Sequence, residues 1–340
     1  MAGTVLVTGG SGYIGGETIR QLLGKSWTVH TTVRSLTKEA ALRAQLGGTP
    51  ETLKFFAADL MDDVGWADAN AGCTHVAHVA SPFPLGVPKD ENELIVPARE
   101  GTLRALRFAK AAGVTRFVQT SSSAAVAYGH PPEKTEFDER DWTNLDAPNV
   151  APYVKSKTVA ERAARDWVAA NAPEMVFCSV NPVAVFGPVA SDDLSTSVEI
   201  IKRMIEGAVP MIPKMGIGVV DVRDVAKLHV LALEAPADLV RNERFIGCVS
   251  FMWANEVAAA LREGLGDAAR KVPTRDMPDW LARVLSLFMA EMKQMRTEGG
   301  KVRHVSGQHA VEVLGIDYIP ARQSVIDTAR SLLEQGIVKV

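Results

Sequence analysis

Three glycines set the condition that the rest of this chain must satisfy. Gly9, Gly12 and Gly15 stand three apart in Thr8-Gly9-Gly10-Ser11-Gly12-Tyr13-Ile14-Gly15. They follow an apolar run at residues 5–7 and open a stretch, 13–23, whose apolar residues Ile14, Ile19, Leu22 and Leu23 recur at helical spacing. A strand that turns on glycines into a helix leaves bare backbone N–H groups at the positive helix end, where a pyrophosphate is readily held. Such a turn belongs at the carboxyl end of a strand in a parallel sheet. The spacing is GxxGxxG, a departure from the simpler GxGxxG.

The remaining pattern supplies that sheet. Residues 27–33, 53–57, 74–80, 116–120 and 175–180 read as strands, and 37–46, 91–112 and 153–170 as helices, the last introduced by Pro152 at a first-turn position. Strands separated by helices predict an α/β fold with a doubly wound parallel sheet of Rossmann type, running to about Asn181. Beyond Pro182, Gly, Pro, Ser and Asp cluster through 187–197 before a helix at 198–206. Residues 219–222, 223–234 and 244–248 read as a strand, a helix and a strand returning to the sheet, with isolated helices at 278–296 and 323–335. The expected division is a dinucleotide-binding domain, 1–182 and 217–248, and a smaller, mainly helical, discontinuous domain, 183–216 and 249–340, that covers it. The apolar helix face of Trp280, Leu281, Val284, Leu285, Phe288, Met289 and Met292 is expected to pack within that small domain.

Composition narrows the partners. The 340 residues are 47% apolar and 23% charged, ample for a buried core, and 37 Lys+Arg against 40 Asp+Glu gives a net charge of −3 with no basic stripe. Nucleic acid is therefore not an expected partner. Cys73, Cys178 and Cys248 form no CxxC pair, which argues against a disulfide framework and a structural zinc site. Cys73, His75 and His78 fall along one strand and its approach, so no metal is expected. No apolar stretch reaches the roughly 20 residues of a membrane helix. A cytoplasmic monomer or homodimer without a membrane partner is the expectation.

The second strand ends Thr31-Thr32-Val33-Arg34, with no carboxylate for a ribose 2′-hydroxyl. Arg34 instead offers a planar cationic fork for a 2′-phosphate, with Lys38 as a second cation, so NADP(H) is expected over NAD(H). Tyr153 and Lys157, four apart, share one face of their helix. A neighbouring ammonium stabilises tyrosinate and is expected to draw the phenol, ordinarily near 10, towards neutral pH. Thr120-Ser121-Ser122-Ser123 ends a strand at the sheet edge where ligands sit, and its hydroxyls suit a carbonyl oxygen.

Taken together these motifs resemble the extended short-chain dehydrogenase/reductases, and within them the dihydroflavonol reductase and cinnamoyl-CoA reductase branch. The resemblance spans nearly the whole chain and is carried by TGGSGYIG from Thr8, TTVRS from Thr31, AADL ending at Leu60 and HVASPF from His78. DENELIVPAREGT from Asp90, RFVQTSS from Arg116, YVKSK from Tyr153, NPVAVFGP from Asn181 and VDVRDVAKLHVLALE from Val220 extend it. It implies NADPH-dependent reduction of an aldehyde or ketone, with Ser122 as the catalytic serine and Ser121 and Ser123 open as alternatives, Tyr153 as proton donor and Lys157 holding the nicotinamide ribose. It further implies that Gly9, Gly12, Tyr13, Ile14 and Gly15 line the phosphates and Asp59 and Leu60 flank the adenine. Ala80, Ser81, Pro82 and Thr120 would line the dinucleotide, and Pro182 and Val183 would bound the nicotinamide.

Two departures bear on substrate. Ala127 stands where plant dihydroflavonol reductases carry Asn, and Asn149-Val150-Ala151-Pro152-Tyr153 stands where plant cinnamoyl-CoA reductases carry NWYCY. Neither plant substrate is expected. A hydrophobic carbonyl compound is, with Phe83, Pro84, Ala127, Phe186, Met204, Met211, Ile212 and Met215 as candidate pocket residues, each of them equally compatible with core packing. A nucleotide-sugar epimerase or dehydratase shares the Tyr/Lys pair, and a non-catalytic NADP sensor shares the fold. HVASPF and DENELIVP weigh against the first, and the intact Tyr153/Lys157 pair against the second.

Overall fold

The computed structural model describes residues 3–82, 88, 90–148, 150–191, 194–285 and 299–339. The chain begins β1 (Thr4–Thr8), α1 (Tyr13–Gly24), β2 (Thr28–Val33), α2 (Glu39–Leu46), β3 (Leu53–Ala57), α3 (Trp66–Asn70), β4 (His75–His78), α4 (Asn92–Ala111) and β5 (Arg116–Thr120). It continues β6 (Glu136–Phe137), α5 (Pro152–Asn171), β7 (Val176–Pro182), β8 (Ala184–Phe186), α6 (Thr196–Glu206), β9 (Gly216–Asp221), α7 (Val222–Glu234), α8 (Ala237–Val240), β10 (Arg244–Gly247) and β11 (Ser250–Trp253). Then follow α9 (Ala254–Leu265), α10 (Asp279–Leu285), β12 (His304–Val305), α11 (Gln308–Leu314) and α12 (Ala321–Glu334).

Seven strands form one parallel sheet in the order β10-β7-β5-β4-β1-β2-β3. Its strands are apolar on both faces because helices cover both. Val5 and Val7 face the layer of α1 and α7, where Ile19, Leu22 and Val225 complete the core. Leu6 points the other way, to Trp66, Leu106 and Phe117 under α3, α4 and α5. The strand order reverses between β1 and β4, which opens a crevice at their carboxyl ends.

A second layer stands over that crevice. The strands β8, β9 and β11 form a three-stranded sheet, β8 parallel and β11 antiparallel to β9. With α6, α9 and α12 they enclose a separate core that includes Val198, Ile201, Val257, Leu261 and Val325.

The doubly wound sheet is as expected, and the differences lie downstream. The strand expected at 219–222 does not return to the central sheet: β10 occupies the place beside β7, pairing Arg244 with Ser179, so β9 pairs with β8 instead. The helix α9 went without a sequence signal because its buried face, Val257, Ala258, Ala260 and Leu261, is half alanine. Of the helix expected at 278–296, α10 is described, and Phe288, Met289 and Met292 lie outside the described residues. Within it Trp280 is 67% exposed, so that residue does not pack in the small domain as the apolar face implied.

Candidate active site

The glycine turn is built by contacts that only bare backbone permits. Gly9 has φ +73°, a conformation that favours glycine, and its carbonyl accepts from Gly12 N–H at 3.0 Å. A Cβ on Gly15 would lie 2.3 Å from that same carbonyl oxygen. Thr32 fastens the turn from β2, its hydroxyl accepting from Gly9 N–H at 3.1 Å and its carbonyl from Gly10 N–H at 3.1 Å. No side chain caps α1 at Gly12, so the first turn of that helix is left for an anion. Ala80 packs directly on Gly9, and its N–H donates to Thr8 Oγ1 at 2.9 Å. Thr8 in turn bonds His78 Nδ1 at 3.0 Å, and burial drives the His78 imidazole down to about 3, so it is neutral.

Arg34 lies exposed just past β2, and Lys38 is exposed on the turn that Ser35 caps. Asp59 is exposed after β3 and bonds Met61 N–H at 2.8 Å, while Leu60 packs on Gly101. Ser81 and Pro82 are half-buried at the end of β4, and Phe83 and Pro84 lie outside the described residues. Pro182 is buried at the end of β7, with Val183 half-buried beside it.

Two residues expected among the cofactor contacts have other partners. The Tyr13 hydroxyl donates to Gly187 C=O at 2.7 Å, joining α1 to the second layer. Thr120 Oγ1 lies 2.7 Å from His229 Nε2; since His229 Nδ1 must donate to Val225 C=O at 2.8 Å, Nε2 accepts from Thr120. Burial lowers His229 to about 4 and keeps it neutral.

The serine triplet separates by geometry. Ser121 Oγ donates to Glu161 at 2.5 Å. Ser122 lies two residues past β5 in extended conformation, its Oγ accepting from Ala124 N–H at 3.1 Å, and it is hydrogen-bonded to the Tyr153 hydroxyl. Pro152 starts α5 at a position needing no N–H, and this places Tyr153 in the first turn and Lys157 one turn on. Lys157 Nζ lies 5.8 Å from the Tyr153 ring centroid.

The electrostatics depart from expectation in one respect. Burial pushes the Tyr153 phenol above its ordinary value, and the Ser122 hydrogen bond offsets only part of that. Lys157 is not among the groups that bring the phenol down, and burial pulls the ammonium itself to about 8. The described residues give Lys157 no carboxylate partner.

The candidate substrate residues divide. Phe186 and Met204 are sealed in the core of the second layer, as is Ile212, so packing replaces the pocket role for all three. Ala127 is 2% exposed in a small cluster with Val126 and Ile246. Met211 and Met215 are half-buried. Cys73, His75 and His78 have separate surroundings: Cys73 against His30, His75 edge-on to Trp27, His78 on Thr8.

Residues 5–246 match the NAD dependent epimerase/dehydratase family. The chain belongs to that family. Among curated relatives of this epimerase/dehydratase chain is a cinnamoyl-CoA reductase of Medicago truncatula, 35% identical over 98% of this chain and 97% of its own. Another, of Candida albicans, is named for NADPH-dependent methylglyoxal reduction and is 30% identical over 97% of this chain and 98% of its own. Among solved structures, a yeast methylglyoxal/isovaleraldehyde reductase complexed with NADPH superposes with TM-score 0.81 at 25% identity, covering 98% of this chain and 100% of its own.

Sequence reasoning missed Glu161, Asn181, His229 and Arg244 around the serine edge. A signal existed for one of them: Glu161 continues the spacing Tyr153, Lys157, four residues apart each time, which keeps all three on one face of α5.

Proposed function

We propose that this protein reduces an aldehyde or ketone to the alcohol with NADPH, Ser122 and Tyr153 together binding the carbonyl oxygen. The observation that carries the reading is the meeting of the Ser122 and Tyr153 hydroxyls beside the buried Lys157 ammonium. The activities named for the Medicago truncatula and Candida albicans relatives support reduction over epimerisation or sensing.

The residues fit NADPH. Gly9, Gly12 and Gly15 form a cradle that a Cβ at Gly15 would fill, with Tyr13 and Ile14 offering backbone at the head of α1. Arg34, with Lys38, would take the 2′-phosphate, Asp59 and Leu60 the adenine, Ala80 to Pro82 and Thr120 the dinucleotide, and Pro182 and Val183 the nicotinamide. A buried ammonium without a carboxylate partner suits ribose hydroxyls, and Lys157 is that group. The nicotinamide supplies the hydride when bound.

The chain supplies everything else. Two hydroxyl donors on one oxygen polarise the carbonyl and stabilise the charge that develops on it. Tyr153, held above its ordinary pKa, is fully protonated at neutral pH, which is the form a proton donor needs. Once the proton leaves Tyr153 Oη for the substrate oxygen, the Ser122 hydrogen bond stabilises the tyrosinate. Half-buried Met211 and Met215 would offer apolar surface to a hydrophobic substrate. In this reading 1–182 and 222–248 bind the dinucleotide, and the second layer, which takes β9 with it, covers the substrate. Three unpaired thiols support a reducing, cytoplasmic setting, where the chain would act as a monomer or homodimer.

The test follows NADPH consumption against a panel of aromatic and aliphatic aldehydes, ketones and diketones, with NADH in parallel. Wild-type turnover favouring NADPH, lost in Tyr153→Phe while NADPH binding persists, is expected. Undiminished turnover by Tyr153→Phe would overturn the assignment.

A further inference from the structure

Behind the Ser122–Tyr153 pair lies a carboxylate for which that chemistry has no use. Glu161, two turns along α5 from Tyr153, is fully buried. It accepts from Ser121 Oγ at 2.5 Å, Asn181 Nδ2 at 2.7 Å, Arg244 Nε at 2.7 Å, Ser179 Oγ at 3.1 Å and Arg165 Nε at 3.2 Å. Burial alone would raise its pKa, yet Arg244, then Arg165, reverse that and hold it below the ordinary carboxylate range. The group is therefore ionised and saturated with donors.

An ion pair that served only to join α5 to β10 would end there. This one continues to the catalytic edge along three paths. Ser121 immediately precedes Ser122. Asn181 Nδ2 also donates to the Ser122 carbonyl at 3.3 Å. Arg244 Nη2 donates to Ala125 C=O at 3.3 Å, at the far end of the single helical turn that Ser122 caps. Arg244 is itself fixed by the carbonyls of Glu139 at 2.9 Å and Asp141 at 2.5 Å and by the Trp142 ring at 3.9 Å. The backbone on both sides of Ser122, and its own carbonyl, are thus referred to one buried charge.

We propose that Glu161 is a positioning residue for the reduction: with Arg244 and Asn181 it fixes the backbone that aims the Ser122 hydroxyl at Tyr153. The proposal rests on the roles given above to Ser122 and Tyr153. Its physical basis is that hydrogen-bond reach leaves little tolerance, and a displacement of about 1 Å costs on the order of 100-fold in rate.

The experiment compares wild type, Glu161→Gln, Ser121→Ala and Ser122→Ala in kcat, KM, NADPH affinity and thermal midpoint across pH. Tyr153→Phe serves as the reference for the site itself. Glu161→Gln is expected to lower kcat roughly 10- to 100-fold with NADPH affinity unchanged. Among the described residues Ser122, Tyr128 and Lys157 face Tyr153, and all three are retained in Glu161→Gln. The limb that Tyr153 sets, which lies above the decline near 8 set by Lys157, is therefore expected to move up, as it is also expected to do in Ser122→Ala, because the Ser122 bond loosens. Ser121→Ala, which leaves the Glu161–Arg244 pair standing, is expected to give a smaller fall and the same direction of limb. A lowered midpoint with an unmoved limb and wild-type kcat per folded molecule would mean a merely structural role and overturn the proposal. If Glu161→Gln does not fold, Ser121→Ala decides by the same two readouts. An active Tyr153→Phe would sink the site reading instead, so the two failures are distinguishable.

Discussion

Ser122 and Tyr153 meet hydroxyl to hydroxyl, one from just past β5 and the other from the first turn of α5. The neighbouring Ser121 hydroxyl is held by Glu161, whereas that of Ser122 is turned to Tyr153. Ser122→Ala is expected to lower kcat/KM by about 100- to 1000-fold, the range for removing one donor from a developing oxyanion. Ser123→Ala is expected to stay within about tenfold of wild type, lacking that contact. Steady-state kinetics on the two variants checks the assignment, and equal losses would refute it.

Lys157 is buried at a cost, and the sign of that cost is measurable. Its folded pKa, about 8, lies below the ordinary lysine value, so between these two pH values the unfolded chain binds more protons than the folded one. Stability contributed by this group therefore rises with pH from about 8 towards 10.5 and is least at neutral pH. Lys157→Met is expected to raise the stability of the cofactor-free protein at pH 7 by up to about 3 kcal/mol while lowering kcat/KM. Denaturant titration at pH 7 and at pH 10 reads it directly, because the gain should shrink at the higher pH. In wild type reductive kcat/KM is expected to decline as pH rises through the region of 8, where the Lys157 ammonium loses its proton. A flat profile to pH 10 would contradict the role of the ammonium.

The wound sheet and the order of the catalytic elements were legible because both rest on local signals: apolar runs, glycines at a turn, a proline at a helix start. Residues whose partners are distant in sequence were not. Glu161 gathers Ser121, Ser179, Asn181 and Arg244 from β5, β7 and β10, and no spacing in one strand announces that convergence. The fate of Phe186 was hidden for a related reason. An apolar residue after β7 reads equally as pocket or core until α6 and α12 close over it. The strand β9 misled because strand signal fixes conformation, whereas the partner is chosen by which edge remains open.

Arg34 is exposed and bonds no described residue, so its guanidinium is available to a ligand. A charge-assisted hydrogen bond contributes about 1.5–3 kcal/mol, which converts to about 10- to 100-fold in affinity. Arg34→Ala is expected to weaken NADPH by that factor and to leave NADH nearly unchanged, since NADH has no 2′-phosphate. Fluorescence titration with both dinucleotides separates this from a general loss of binding. Equal weakening of the two would assign Arg34 to something other than the phosphate.

Gly15 gives the sharpest distinction between a helix rule and a site. In a free helix interior Gly→Ala is stabilising by about 1 kcal/mol. Here the added Cβ would sit 2.3 Å from the Gly9 carbonyl oxygen, a backbone atom that cannot rotate aside and that already accepts from Gly12 N–H. The turn must shift, and the cradle with it. Gly15→Ala is expected to lower the thermal midpoint and abolish measurable NADPH binding. Gly24, the last residue of α1, has nothing within 4 Å of its added Cβ, and Gly24→Ala is expected to leave binding intact and the midpoint unchanged or raised. Calorimetry and dinucleotide titration on both variants test the pair. Were Gly15→Ala to bind NADPH as wild type does, the glycine turn would not be the phosphate site.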